Sequence, residues 1–167
     1  KNTIDSLNKA EQINSNNSEI YFAKSNIYLK ISEIQKAKNS LEKGLRIEPN
    51  NYKAIFQLGN IFLLEKKYSE AIEFFDESIK IKPDFWQAIN NQGLAYFEQN
   101  KKNLSKKFFK KAISIEDNAE PLLGLASCLR INDIKLAIQL AKKALAKDPN
   151  YVSYNYRKEQ LWGKKLQ

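Results

Sequence analysis

Tyr52-Lys53-Ala54-Ile55-Phe56-Gln57-Leu58-Gly59-Asn60-Ile61-Phe62-Leu63-Leu64 is followed by Glu65-Lys66-Lys67, and then by Tyr68-Ser69-Glu70-Ala71-Ile72-Glu73-Phe74-Phe75 running on to Ile81 and Pro83. In the first stretch apolar residues fall at 55, 58 and 62 and at 54, 58 and 61. In the second they fall at Ala71, Ile72, Phe75 and Ile79. Both are the three-and-four spacing of a helix with one buried face. The charged break separates the two helices, and Pro83 ends the unit because proline cannot continue a helix and biases the residue before it away from one.

The unit recurs outward in both directions. Ile47-Glu48-Pro49-Asn50 returns 34 residues later as Ile81-Lys82-Pro83-Asp84, again as Ile115-Glu116-Asp117-Asn118, and then, 32 on, at Lys147-Asp148-Pro149-Asn150. A fixed period of this size marks a stack of like supersecondary units rather than a closed single core. Gly59 and Gly93 sit 34 apart inside helices, where glycine costs about 1 kcal/mol against alanine. They predict a slot that admits a facing helix, filled by Ser25 and Ser127 in the outer units. Ala37, Ala71, Ser105 and Ala137 are the matching small residues of the second helices. Leu41, Phe75 and Phe109 follow four residues later as knobs.

These residues resemble the tetratricopeptide repeat (TPR) family. Its pattern is matched by Ile55, Leu58-Gly59, Phe62, Ala71, Phe75 and Pro83 in one unit. Tyr21, Tyr28, Ala37, Leu41 and Pro49 match it in the unit before, and Ile89, Gly93, Tyr96, Phe109 and Ala112 in the unit after. A divergent fourth unit offers Leu123, Ser127, Ala137, Ala144 and Pro149, with two residues lost near 131–133. The resemblance implies an all-α, right-handed α-solenoid. It divides a single domain, 1–167, into an orphan second helix (3–14), repeats at 18–51, 52–85, 86–119 and 120–151, and a polar capping helix at 152–167. Glu159-Gln160-Leu161-Trp162-Gly163 also resembles a tail of cyanobacterial and plastid TPR proteins, which would make assembly of photosynthetic complexes a further reading.

In TPR proteins the first helix of each unit lines a concave groove that holds a partner. By that resemblance the groove presents Phe22, Asn26 and Leu29, then Phe56, Asn60 and Leu63, then Asn90, Leu94 and Phe97. Asparagine both donates to and accepts from a peptide backbone, and large aromatics accept apolar anchors. The implied partner is a peptide or helical segment of another protein. The competing reading is that the phenylalanines pack between repeats and the asparagines are ordinary surface residues. No clamp for the acidic C-terminus of Hsp70 or Hsp90 is expected. Phe22 and Phe56 stand where that clamp needs lysine, and Gln87 and Asn91 occupy its later positions.

Charge is unevenly spread. Residues 1–100 hold 13 Lys+Arg and 13 Asp+Glu, whereas 101–167 hold 15 and 6, which accounts for the net +9. Lys106, Lys107, Lys110 and Lys111 form adjacent ridges on one helix. Such a basic surface attracts nucleic acid or anionic membrane, but lysines of this kind are more often a solvated face. Phe108 and Phe109 fall at core positions of the repeat.

With no His and a single Cys, the chain cannot build Cys–His catalysis or a zinc site. It has no Gly-rich phosphate loop and no nucleophile elbow, and Asp76-Glu77 and Glu116-Asp117 are helix neighbours that diverge. A non-enzyme without cofactor is expected. Cys128 reads as a small hydrophobe, and Trp86 and Trp162 as packing residues. The chain lacks Met, so the expected context is a longer, cytoplasmic protein, with a tether upstream of Lys1 as the variant.

Overall fold

The computed structural model describes residues 2–153, 155 and 157. Among these the chain forms nine α-helices and no strand: α1 (Asn2–Ile13), α2 (Ser18–Lys30), α3 (Ile34–Ile47), α4 (Tyr52–Leu64), α5 (Tyr68–Ile81), α6 (Trp86–Glu98), α7 (Lys102–Ile115), α8 (Ala119–Leu129) and α9 (Ile134–Lys147), with a 3-10 turn at Pro149–Val152. Helices α2/α3, α4/α5, α6/α7 and α8/α9 pack as pairs, and each pair stacks on the next through α3/α4, α5/α6 and α7/α8. This is an α-solenoid. The expected capping helix, with Trp162 and the Glu159–Gly163 tail, lies outside the described residues beyond its first few positions.

Local chemistry repeats with the period. Asn17, Asn51 and Asn118 precede α2, α4 and α8, and their side-chain oxygens accept from the backbone N–H of Glu19, Ala54 and Glu120 at 3.0, 3.0 and 3.3 Å, satisfying donors that a helix leaves open at its start. Within each of the first three pairs the turn passes through one left-handed residue: Ser32, Lys66 and Asn100 at φ 61°, 60° and 62°. The following residues, Glu33, Lys67 and Lys101, donate back to Tyr28, Phe62 and Tyr96 at 2.8–2.9 Å, the Schellman closure of a helix end.

The in-helix glycines have the packing role expected of them. A Cβ on Gly59 would lie 2.6 Å from the Phe75 ring, and one on Gly93 would lie 2.9 Å from Phe109. Phe109 is also pressed by Gly124 of α8, where a Cβ would meet it at 2.5 Å. Opposite the slot, Ala37, Ala71 and Ser105 have no accessible surface. The Ser105 hydroxyl donates to the Gly93 carbonyl at 2.8 Å.

The fourth pair departs from the sequence alignment. The loop before α8 spans three residues, 116–118, against four at 82–85, so α8 starts at Ala119 and runs one residue ahead of the 34-residue frame. The capping asparagines record the same shift, with Asn118 in place of position 119. Consequently Leu122 and Ala126 take the buried positions, while Leu123 and Ser127, expected there, are half-buried. One of the two missing residues is therefore lost before α8 rather than between α8 and α9.

Candidate functional site

The first helices α2, α4 and α6 carry the nine expected groove residues, and the structure treats the three units differently. In α2, Asn26 is exposed and Phe22 and Leu29 are half-buried; in α4, Phe56 and Asn60 are half-buried and Leu63 is buried. In α6, Asn90 and Leu94 have no accessible surface and Phe97 is 7% exposed. The expected groove positions are thus more exposed in α2 and α4 than in α6.

Two physical causes separate them. At the first two junctions an amide bridges neighbouring first helices. Gln57 Nε2 donates to Asn26 Oδ1 at 2.9 Å, and Asn91 Nδ2 donates to Asn60 Oδ1 at 2.8 Å. Both pairs are 31 residues apart, so the same two repeat positions meet twice. Each asparagine uses only its oxygen here and keeps its N–H donors available to another group. At the third junction Leu94 and Phe97 pack instead into one apolar cluster with Leu122, Leu125 and Cys128 of α8 and Phe109 of α7, which buries those two expected groove positions. Asn90 donates to Asn91 Oδ1 at 3.1 Å, and its own Oδ1 has no partner.

The phenylalanines are partly committed to the scaffold, through contacts inside their own repeats. Phe22 covers Gly44 so closely that a Cβ there would collide with its ring. Phe56 meets Phe85 edge-on at 4.9 Å and Phe75 at 5.8 Å, and Tyr52 meets the same Phe85 at 5.0 Å. These are the offset arrangements aromatic rings favour. Phe22 and Phe56 each keep a half-covered ring beyond these contacts.

Cys128 is buried beside Ser105, with Sγ 3.4 Å from the hydroxyl, and burial pushes its thiol up, which leaves it a packing residue. Trp86 is half-buried at the start of α6. Phe109 is buried, and Phe108 stacks on Tyr96 at 5.2 Å.

Of the four lysines of α7 expected to form a basic surface, Lys106 is half-buried and Lys107, Lys110 and Lys111 are exposed. None of them forms an ion pair with a described residue, unlike Lys143 and Lys147 of α9, which hold Asp117 at 2.8 and 3.1 Å and keep its carboxyl below the ordinary range. Lys106, Lys107 and Lys110 line a cleft with Asn103 and Leu129. At the opposite end Lys24, buried in α2, pairs with Glu11 of α1, and Lys43 reaches the same carboxylate at 3.3 Å. The hydrogen bond from Lys24 is the main reason the Glu11 carboxyl is held low.

Sequence reasoning named Asn26 and Asn60 but missed their partners, Gln57 and Asn91. Those two are themselves 34 apart, a signal that the residues carried. It also missed Asn103 and Leu129 of the cleft, because nothing in the period announces that α8 is short.

Models of the tetratricopeptide repeat match residues 18–51, 52–85 and 87–118. Among solved structures, MamA is 21% identical over 90% of this chain and 90% of its own, with a TM-score of 0.76. PilF of Pseudomonas aeruginosa is 21% identical over 84% of this chain and 65% of its own, with a TM-score of 0.77. YrrB, described as a TPR protein with an unusual peptide-binding site, is 19% identical over 96% of this chain and 86% of its own, with a TM-score of 0.72. At these identities the likeness is one of fold. No curated protein matches the sequence.

Proposed function

This chain belongs to the tetratricopeptide repeat family, and on that premise we propose that it holds an extended segment of a partner protein in the N-terminal part of its groove, along α2 and α4. The family's repeats serve as protein–protein interaction scaffolds and are generally non-enzymatic. The observation that carries the finer reading is the pair of repeat-related asparagines, Asn26 and Asn60. Each is fixed through its oxygen by the next helix and has its N–H donors uncommitted. A side chain already ordered loses little further freedom on binding. Two of them one repeat apart suit the carbonyls of an extended chain, irrespective of its sequence.

The half-covered rings of Phe22 and Phe56, with Leu29, supply apolar contact beside those donors. Asn90, Leu94 and Phe97 belong to the scaffold in this reading, and so does most of Leu63. The peptide-binding site ascribed to YrrB, a protein of the same fold, supports a peptide as the kind of ligand. A carboxylate clamp of the Hsp70 or Hsp90 type is not part of the proposal, since compensating a desolvated carboxylate takes charged donors and Phe22, Phe56 and Asn91 carry none.

The test exploits the one-sided use of the amides. Asn26→Asp with Asn60→Asp keeps an acceptor for Gln57 and Asn91 while deleting both donors. The expected result is an unchanged melting temperature with partner capture reduced at least tenfold, whereas Gln57→Ala leaves capture within about threefold. Capture that survives the double aspartate variant in a folded protein refutes the donor ladder.

A further inference from the structure

We propose that the cleft between α7 and the end of α8 is a second docking site, which takes an acidic peptide segment carrying one apolar side chain. The site is separate from the groove along α2 and α4, so either can fail without the other. Its lining residues, Asn103, Lys106, Lys107 and Lys110, stand 34 after Ser69, Ile72, Glu73 and Asp76. The chain therefore shows the same repeat positions in two states.

At the α5/α6 junction the positions are filled from within. Gln99 Nε2 donates to Ser69 Oγ at 3.1 Å, Gln92 Nε2 donates to Asp76 Oδ1 at 2.7 Å, and Ile72 is buried. At the α7/α8 junction no described residue makes a comparable hydrogen bond to the matching positions. Helix α8 has 11 residues against the 13 of α6 and stops at Leu129. What remains is a cleft of about 450 Å³ lined by Asn103, Lys106, Lys107, Lys110 and Leu129.

Charge and shape select the occupant. Lys106 and Lys110 are four apart on one helix and Lys107 lies beside them, so they repel one another, and no described carboxylate pairs with any of the three. A partner that brings carboxylates relieves that repulsion and gains three charge-assisted contacts, while its apolar side chain fills the space that α6 fills at the earlier junction. Nucleic acid is disfavoured. The cleft has no arginine for bidentate phosphate contact, and it offers no base-stacking platform, since Phe108 is stacked on Tyr96 and Phe109 is buried. A bilayer is disfavoured because Leu129 is the one apolar residue lining the cleft, too little apolar surface to insert into a membrane.

The experiment is fluorescence anisotropy on the whole chain at physiological salt with four probes. These are a labelled ten-residue peptide of glutamates around one central leucine, the same peptide with glutamine for glutamate, a single-stranded ten-nucleotide RNA, and phosphatidylserine vesicles. The proteins are wild type, Lys106→Gln with Lys110→Gln in the cleft, and Lys135→Gln with Lys142→Gln on α9 as a control of equal charge. The expected result is acidic-peptide binding at least tenfold tighter than the glutamine peptide, weakened at least tenfold by the cleft variant and by less than twofold by the control. A further probe, the acidic peptide with serine for its central leucine, binds at least threefold more weakly. Equal loss in both variants, tighter binding of RNA or vesicles than of the acidic peptide, or no binding of that peptide overturns the proposal. Because Lys110 is exposed and Lys106 half-buried, a melting curve of the cleft variant superimposing on wild type is part of the expected result.

Discussion

The junction between the second and third helix pairs and the junction between the third and fourth are built from the same repeat positions, yet they are nearly inverted. On the inner side the earlier junction is polar, with Asn60 bonded to Asn91, and the later one is apolar and sealed, with Leu94 and Phe97 against Leu122, Leu125 and Cys128. On the outer side the earlier junction is filled by Gln92, Gln99 and Ile72, while the later one is open and lined by lysine. A stack of like units therefore does not present like surfaces. Which face is available is decided where neighbouring helices meet, by the side chains at matching positions, Asn60 against Leu94 and Ile72 against Lys106, together with a loop shorter by one residue and a helix shorter by two.

The comparison breaks most visibly if Leu94 is replaced. Leu94→Asn installs the amide of the preceding unit at a position with no accessible surface, removing apolar volume and burying an amide without a partner. The expected loss is about 3 kcal/mol or more, read as a lowered midpoint in urea with α8 and α9 losing helicity first. A midpoint unchanged within error contradicts the sealed inner face.

Gly59→Ala probes what both junctions share, the slot for a knob. Alanine gains about 1 kcal/mol of helix propensity, but its Cβ lies 2.6 Å from the Phe75 ring, and overpacking of this kind costs about 1–3 kcal/mol. Net destabilisation is expected, and Phe75→Leu in the same background restores part of it.

The reverse replacement, Asn60→Leu, carries the smallest effect. It deletes one partly exposed hydrogen bond, worth about 1 kcal/mol. The asymmetry with Leu94→Asn, severe in one direction and mild in the other, is the quantity that sharpens the comparison.

Much of the fold was legible in the sequence because the period and the small-residue slots are properties of single units. Gly59 under Phe75 and Gly93 under Phe109 follow from one repeat packing on itself. The groove was only half legible. Whether Asn90 is reachable or buried depends on how closely α8 approaches α6, and that is a property of two units and the loop between them. The register of α8 was misjudged for the same reason. Leu123 and Ser127 fit the 34-residue frame, and only the shortened 116–118 loop shows that Leu122 and Ala126 carry the packing. The cleft on α7 was read as a basic ridge, since four lysines are visible in sequence while the helix that fails to cover them is not.

The central claim is that the proposed groove is accessible along α2 and α4 and closed at α6. Thiol labelling tests it most directly. In a Cys128→Ser background, single cysteines are placed at Asn26 and at Asn90, two groove positions of the same scaffold, and their rates with a maleimide are compared under native conditions. The account predicts that the Asn26→Cys thiol reacts at nearly the rate of the unfolded chain and the Asn90→Cys thiol at least a hundredfold more slowly. Equal rates at the two positions contradict it.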